Sequence, residues 1–164
     1  MAHPLRRAGH RVRQAFYGSF GRLEPRAAAE AALELPANLR PLFAQMRPRD
    51  QRHAVGVLQR LGPAPALLRQ AALLHDVGKA RAFLGTPGRT LVVLAETTHT
   101  TGLVARVPGI GPRIAAYIRH PEIGAQMLRE AGAPEALAEI VAEHQAARPR
   151  HPETRRLQEA DSSE

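Results

Sequence analysis

At 164 residues the chain is sized for one domain with a proper core, given roughly 150 residues per domain. Its net charge of +8 rests on arginine, since Lys79 is the only lysine, and the absence of cysteine excludes disulfides and thiolate metal sites, leaving His, Asp and Glu as possible metal donors. The longest aliphatic run, Leu91 to Ala95, is far too short for a membrane span, and the basic N-terminus lacks the apolar core of a signal peptide, so a soluble, cytoplasmic protein is expected.

Hydrophobic residues make up 44% of the chain but aromatics only 4%, so the core must be built from Ala, Leu, Val and Ile. Alanine and leucine are strong helix formers, which points to an all-α protein. An opening helix is expected from about Leu5 to Phe20, with Val12, Phe16 and Phe20 at helical spacing among four arginines. Glu24-Pro25 starts an alanine-rich helix running to about Leu35, and Pro36 and Pro41 bracket a connector. Pro48 starts a helix carrying His53, Val57, Leu58 and Leu61, closed by the Gly62–Pro65 turn. The most apolar helix is expected over Ala66 to about Val77, with Gly78 ending it. A Gly85–Gly88 turn, a helix from about Arg89 to Arg106 and a tight Pro108–Pro112 turn follow. Further helices are expected over Arg113–Arg119, Pro121–Ala131, Pro134–Ala147 and, after a basic linker at 148–152, Glu153–Ala160. No segment reads as a strand.

The chemistry concentrates in few residues. Asp50, Asp76 and Asp161 are the three aspartates, and His75-Asp76 stands at the end of the apolar helix. A buried carboxylate beside a buried imidazole is costly unless it is paired or bound to metal, and that donor pair suits Zn, Fe, Mn or Ni. The run Leu73-Leu74-His75-Asp76-Val77-Gly78-Lys79 resembles the signature of HD-superfamily metal-dependent phosphohydrolases. In that superfamily a His on an earlier helix precedes the His-Asp pair, and further His residues and a late Asp follow. His53, His120, His144 and Asp161 stand in that order here, so the resemblance extends over roughly residues 50–161. It implies an α-helical bundle, with N-terminal helices over 1–47 and the HD-type metal-binding core over 48–161 of a single domain.

The resemblance also implies roles. His53, His75, Asp76 and Asp161 would hold a first divalent transition metal, and His120 and His144 a second, with Asp76 bridging. Asp76 and Lys79 would be the catalytic residues, Lys79 attracting phosphate. The implied substrate is a small phosphate ester or nucleotide. Gln145 stands where cyclic-dinucleotide phosphodiesterases of the HD-GYP type have a second consecutive His, and the Gly-Tyr-Pro element of that group is missing. The resemblance is therefore nearest to small bacterial HD-domain proteins without an assigned substrate.

Two other readings stand beside this one. A non-catalytic HD-type module would bind nucleotide or metal and signal through a partner. A nucleic-acid binder would use Gly109-Ile110-Gly111 with Arg113, which resembles the turn of helix-hairpin-helix motifs, where backbone N–H groups meet phosphates. The positive charge favours anionic partners generally, and nucleic-acid binding is ranked below hydrolysis. His3, His10, His99 and His151 read as surface residues, and Asp50 as a residue that caps or flanks its helix.

Overall fold

The computed structural model describes residues 25–82 and 111–163. The opening helix expected over Leu5–Phe20, the Gly85–Gly88 turn, the Arg89–Arg106 helix, His3, His10, His99, Gly109 and Ile110 lie outside the described residues. Within them the chain is all-α, with no strand: α1 (Pro25–Ala32), α2 (Arg40–Gln45), α3 (Pro48–Leu61), α4 (Ala66–Leu74), a 3-10 helix (Val77–Arg81), α5 (Gly111–Ile118), α6 (His120–Glu130), α7 (Glu135–Glu143) and α8 (Pro152–Ser162).

Local chemistry sets most of these bounds. Pro48 occupies the first turn of α3, Asp50 lies in that turn and Arg60 in the last, so the end charges match the helix dipole. Gly62, at φ 63°, stops α3 in a conformation that favours glycine. The buried residues of α3, Asp50, Ala54 and Val57, recur at spacings of four and three and form one stripe. After α6, Gly132 at φ 75° closes a Schellman turn, in which Gly132 N–H donates to Arg129 O and Ala133 N–H to Leu128 O. His151 caps α8 by accepting the Glu153 N–H at Nδ1.

Helix α4 is the centre of the core: Leu68, Ala71, Ala72, Leu73 and Leu74 are fully buried. It packs against α3 and α7, while α8 lies across α3, α7 and α4, and the 3-10 helix packs on α6. Among the described residues Phe43 is the one large aromatic of this core, set with leucine, isoleucine, valine, methionine and alanine.

The bounds around residue 75 differ from expectation. The α-helix stops at Leu74, and Asp76 caps a tighter 3-10 helix that starts at Val77, so the expected run to Val77 is two elements. Gly78 does not end α4. It lies in the 3-10 helix, where a Cβ would fall 2.0 Å from the His120 carbonyl oxygen and 2.7 Å from the Gly124 nitrogen. Glycine is required there for close backbone approach, not for a helix cap. Likewise α7 ends at Glu143 rather than Ala147, because the Ala146 N–H turns back to the Glu143 carbonyl.

Candidate metal centre

Helix ends bring the candidate residues together. His75 follows the last residue of α4, His120 opens α6 directly after α5, and His144 follows α7. Each sends Nδ1 to the carbonyl three residues back: His75 to Ala72 at 3.0 Å, His120 to Tyr117 at 2.7 Å, His144 to Val141 at 2.7 Å. Those carbonyls lie in the last turns of α4, α5 and α7, where helices leave acceptors unsatisfied. A carbonyl has no proton to give, so each Nδ1 carries the hydrogen. In the neutral ring each Nε2 is then a bare lone pair.

The lone pairs converge. His120 Nε2 and His144 Nε2 lie 3.2 Å apart, and Asp76 Oδ1 lies 3.1 Å from the first and 3.8 Å from the second. On the other side of the same carboxylate, Asp76 Oδ2 lies 3.6 Å from His75 Nε2 and 3.9 Å from His53 Nε2. His75 and His53 approach to 3.3 Å through Nε2, and Asp161 Oδ1 lies 2.8 Å from His53 Nε2 and 3.7 Å from His75 Nε2. Two donor sets result, Asp76–His120–His144 and His53–His75–Asp161. With metal–ligand bonds of about 2.1 Å, neighbouring ligands stand about 3.0 Å apart in an octahedron and about 3.4 Å apart in a tetrahedron. In each set two of the three separations lie near that range, at 2.8–3.3 Å, and the third is slightly longer, at 3.7 Å or 3.8 Å.

The sets differ in exposure. His75, Asp76, His120 and His144 are at most 4% exposed, whereas the His53 and Asp161 side chains are 24% and 31% exposed. The inner set is therefore the floor of the centre, and the His53–Asp161 edge is its open side. Asp161 is held there by anchors on α8: Arg60 Nε donates to Ala160 O at 2.7 Å and Gln158 Nε2 to Ala146 O at 2.8 Å.

Electrostatics follow from burial and neighbours. Burial, with His75 next in weight, pushes the His144 imidazole down to about 3, and burial also lowers His75 against the pull of Asp76 and Asp161. Both rings are therefore neutral at ordinary pH. Burial works to raise the Asp76 carboxyl, but Lys79, His75 and His120 outweigh it and hold it well below the usual range. Asp161 is lowered too, burial being outweighed by the hydrogen bond with His53 and the electrostatic effect of the neighbouring His75 ring. Lys79 Nζ donates to Asp76 Oδ2 at 2.6 Å, and this carboxylate, against the cost of burial, holds the ammonium above its ordinary value.

All seven residues singled out in the sequence lie within this cluster. Two neighbours were not singled out for it. Asp50, read as a capping or flanking residue, is buried in the first turn of α3 and acts electrostatically on Lys79. Tyr117 presents its ring 5.6 Å from Lys79 Nζ. The available signals were positional: each stands three residues before a candidate histidine, within helical reach. His151 caps α8, and Arg113 is exposed near the start of α5.

A family model described as the HD domain matches residues 51–164, well over half of the chain. Searches of curated proteins and of solved structures gave no match.

Proposed function

The chain belongs to the HD-domain family, and on that footing we propose that it is a metal-dependent phosphohydrolase acting on a phosphate ester, with nucleotides as the favoured class. The observation that carries the reading is the His120–His144 contact. Burial holds the His144 ring neutral, so its Nε2 lone pair faces His120 Nε2 at 3.2 Å with Asp76 Oδ1 beside both, an arrangement that a cation between them would satisfy. Such a donor set, with no sulfur, fits Mn, Fe, Ni or Zn, as one ion or two.

In this reading His53, His75 and Asp161 would hold one ion and His120 and His144 the other, with Asp76 serving both sets. The bound ions supply Lewis-acid stabilisation of phosphoryl charge and acidify water near neutral pH. The carbonyls of Ala72, Tyr117 and Val141 orient the imidazoles and fix their tautomers. Substrate approaches over the open His53–Asp161 edge, drawn by the arginine-rich surface, and Lys79 contributes charge for phosphate beside Asp76. Among the described residues no helix is long and apolar enough to cross a membrane, and a cytoplasmic location fits a nucleotide substrate.

The test is metal analysis on protein purified without chelators, followed by a turnover screen. Wild type and Asp76→Ala are compared on nucleotides, dinucleotide polyphosphates, cyclic dinucleotides and a generic phosphodiester, with Mn, Fe, Ni or Zn supplied. Turnover by wild type alone supports the reading. Full metal loading without turnover favours the binding-module reading, and failure to take up metal removes the site assignment. Salt-sensitive duplex binding abolished by Arg113→Glu would instead promote nucleic acid as the partner.

A further inference from the structure

The mechanism above uses Lys79 only as a charge for phosphate, yet its position is more particular than that. Nζ sits 2.6 Å from Asp76 Oδ2, the oxygen facing His53 and His75, and not on Oδ1, which faces His120 and His144. The two donor sets are thus unequal. Among the described residues no lysine or arginine reaches Asp76 Oδ1, which faces His120 and His144. Asp76 Oδ2 already carries one. An ion bonded to Oδ2 at about 2.1 Å would stand within about 5 Å of the ammonium, close enough for strong like-charge repulsion at a site this buried. The ammonium also has somewhere to go. Its chain is held on the 3-10 helix, the Tyr117 ring face is 5.6 Å away, within reach for a cation–π contact, and the buried Asp50 acts favourably on its charge.

We propose that Lys79 is a built-in counter-ion for the outer set and orders metal loading. The Asp76 Oδ1–His120–His144 set takes a divalent cation first. The His53–His75–Asp161 set takes one only as the ammonium gives up Asp76 Oδ2 and turns toward Tyr117. Filling the outer set therefore also releases Lys79 toward substrate, so the phosphate-binding charge becomes available only when the centre is complete. This rests on the two-set reading of the metal centre, not on any particular substrate.

Lys79 is the only lysine in the chain, which makes it a single-site probe. Metal-stripped full-length protein is titrated with Zn(II) by calorimetry for wild type, Lys79→Met and Lys79→Gln. In parallel, wild type is acylated at each zinc equivalent, and the peptide bearing residue 79 is quantified by mass spectrometry. Wild type should bind in two steps, the stronger lost in His120→Ala and the weaker in His53→Ala. Both residue-79 variants should tighten the weaker step by about tenfold or more and leave the stronger unchanged. Acylation of Lys79 should stay low through the first equivalent and rise with the second. Two zinc steps indifferent to residue 79, or acylation that stays flat or falls at the second equivalent, would overturn the ordering while leaving the metal centre standing. No zinc uptake by wild type or variants would overturn both. The acylation arm uses wild type alone, so it decides the matter even if a variant folds poorly.

Discussion

His120 and His144 argue for a cation because helix ends have already assigned their protons. The i to i−3 bond from Nδ1 to a terminal carbonyl occurs three times, at His75, His120 and His144. The residue types and their order were legible in the sequence. The tautomers were not, because they depend on where α4, α5 and α7 stop to the residue. The same limit hid Asp50: its place one turn before His53 was visible, but its burial depends on how α3 packs. Lys79 shows what sequence order leaves out, since it is an ion-pair partner of Asp76 and not merely a residue beyond a helix end. That pair gives a prediction. Asp76→Ala should abolish turnover and zinc binding at the inner set. It should also destabilise the metal-free protein by about 3 kcal/mol or more, because it strands a largely buried ammonium. Adding Lys79→Met should restore most of that stability without restoring activity. Urea denaturation of the single and double variants measures it, and equal stability of the two would mean that the pair is energetically idle.

At the scale of elements, the junctions position the donors. The sequence placed helices over 48–61 and 66–77 correctly in kind, from proline starts and apolar spacing. It missed the change to a 3-10 helix at Asp76 because nothing local announces it. The cause is tertiary: the 3-10 helix must press onto the start of α6, and Gly78 is the point of contact. Gly78→Ala would drive a methyl into the His120 carbonyl and the Gly124 nitrogen, both backbone, which cannot rotate aside. The expected loss is about 3 kcal/mol or more, together with weakened zinc binding by the inner set as His120 is displaced. Gly62→Ala makes the control. Its Cβ would meet nothing within 4 Å, so only the strain of φ 63°, ψ −147° remains, about 1–3 kcal/mol, with metal binding unchanged. Denaturation and zinc titration on both variants separate the two cases. If Gly78→Ala costs under about 1 kcal/mol and leaves the inner-set zinc step as Gly62→Ala does, the close approach is not real. A second junction holds the helix that bears Asp161. Glu143 Oε2 accepts the Arg150 and His151 N–H groups, and Oε1 accepts Arg150 Nε at 2.6 Å. Glu143→Ala should therefore weaken the zinc step lost in His53→Ala more than the step lost in His120→Ala, as read by calorimetry.

For the whole molecule, a candidate metal centre built on buried imidazoles held neutral makes the metal-free protein sensitive to acid. His144 is held to about 3 against 6.5 for the ordinary side chain, and His75 is lowered as well, burial being the largest cause for both. The unfolded chain therefore takes up protons that the folded chain refuses. His144 removes about 1.4 kcal/mol of stability per pH unit once the pH is well below 6.5, continuing to about 3, and His75 acts in the same direction. Asp76 and Asp161 have the opposite kind of group but the same sign of effect. Their folded values are depressed, so their stabilisation is present above about 3.8 and disappears only below it. Lys79 is raised above 10.5, so its contribution is fully present throughout this range. Between pH 7 and pH 5 the histidines alone should act, and metal-stripped protein should lose stability steadily as the pH falls. Zinc at a hundred times its dissociation constant should add about 2.7 kcal/mol at pH 7. His144→Gln, which keeps a polar side chain but cannot titrate, should flatten the metal-free profile between pH 7 and pH 5. Guanidinium denaturation across that range, with and without zinc, on wild type and His144→Gln, reads all three effects. A wild-type profile that is level from pH 7 to pH 5 without metal would mean that the imidazoles are not buried neutral, and the case for converging lone pairs would fall with it.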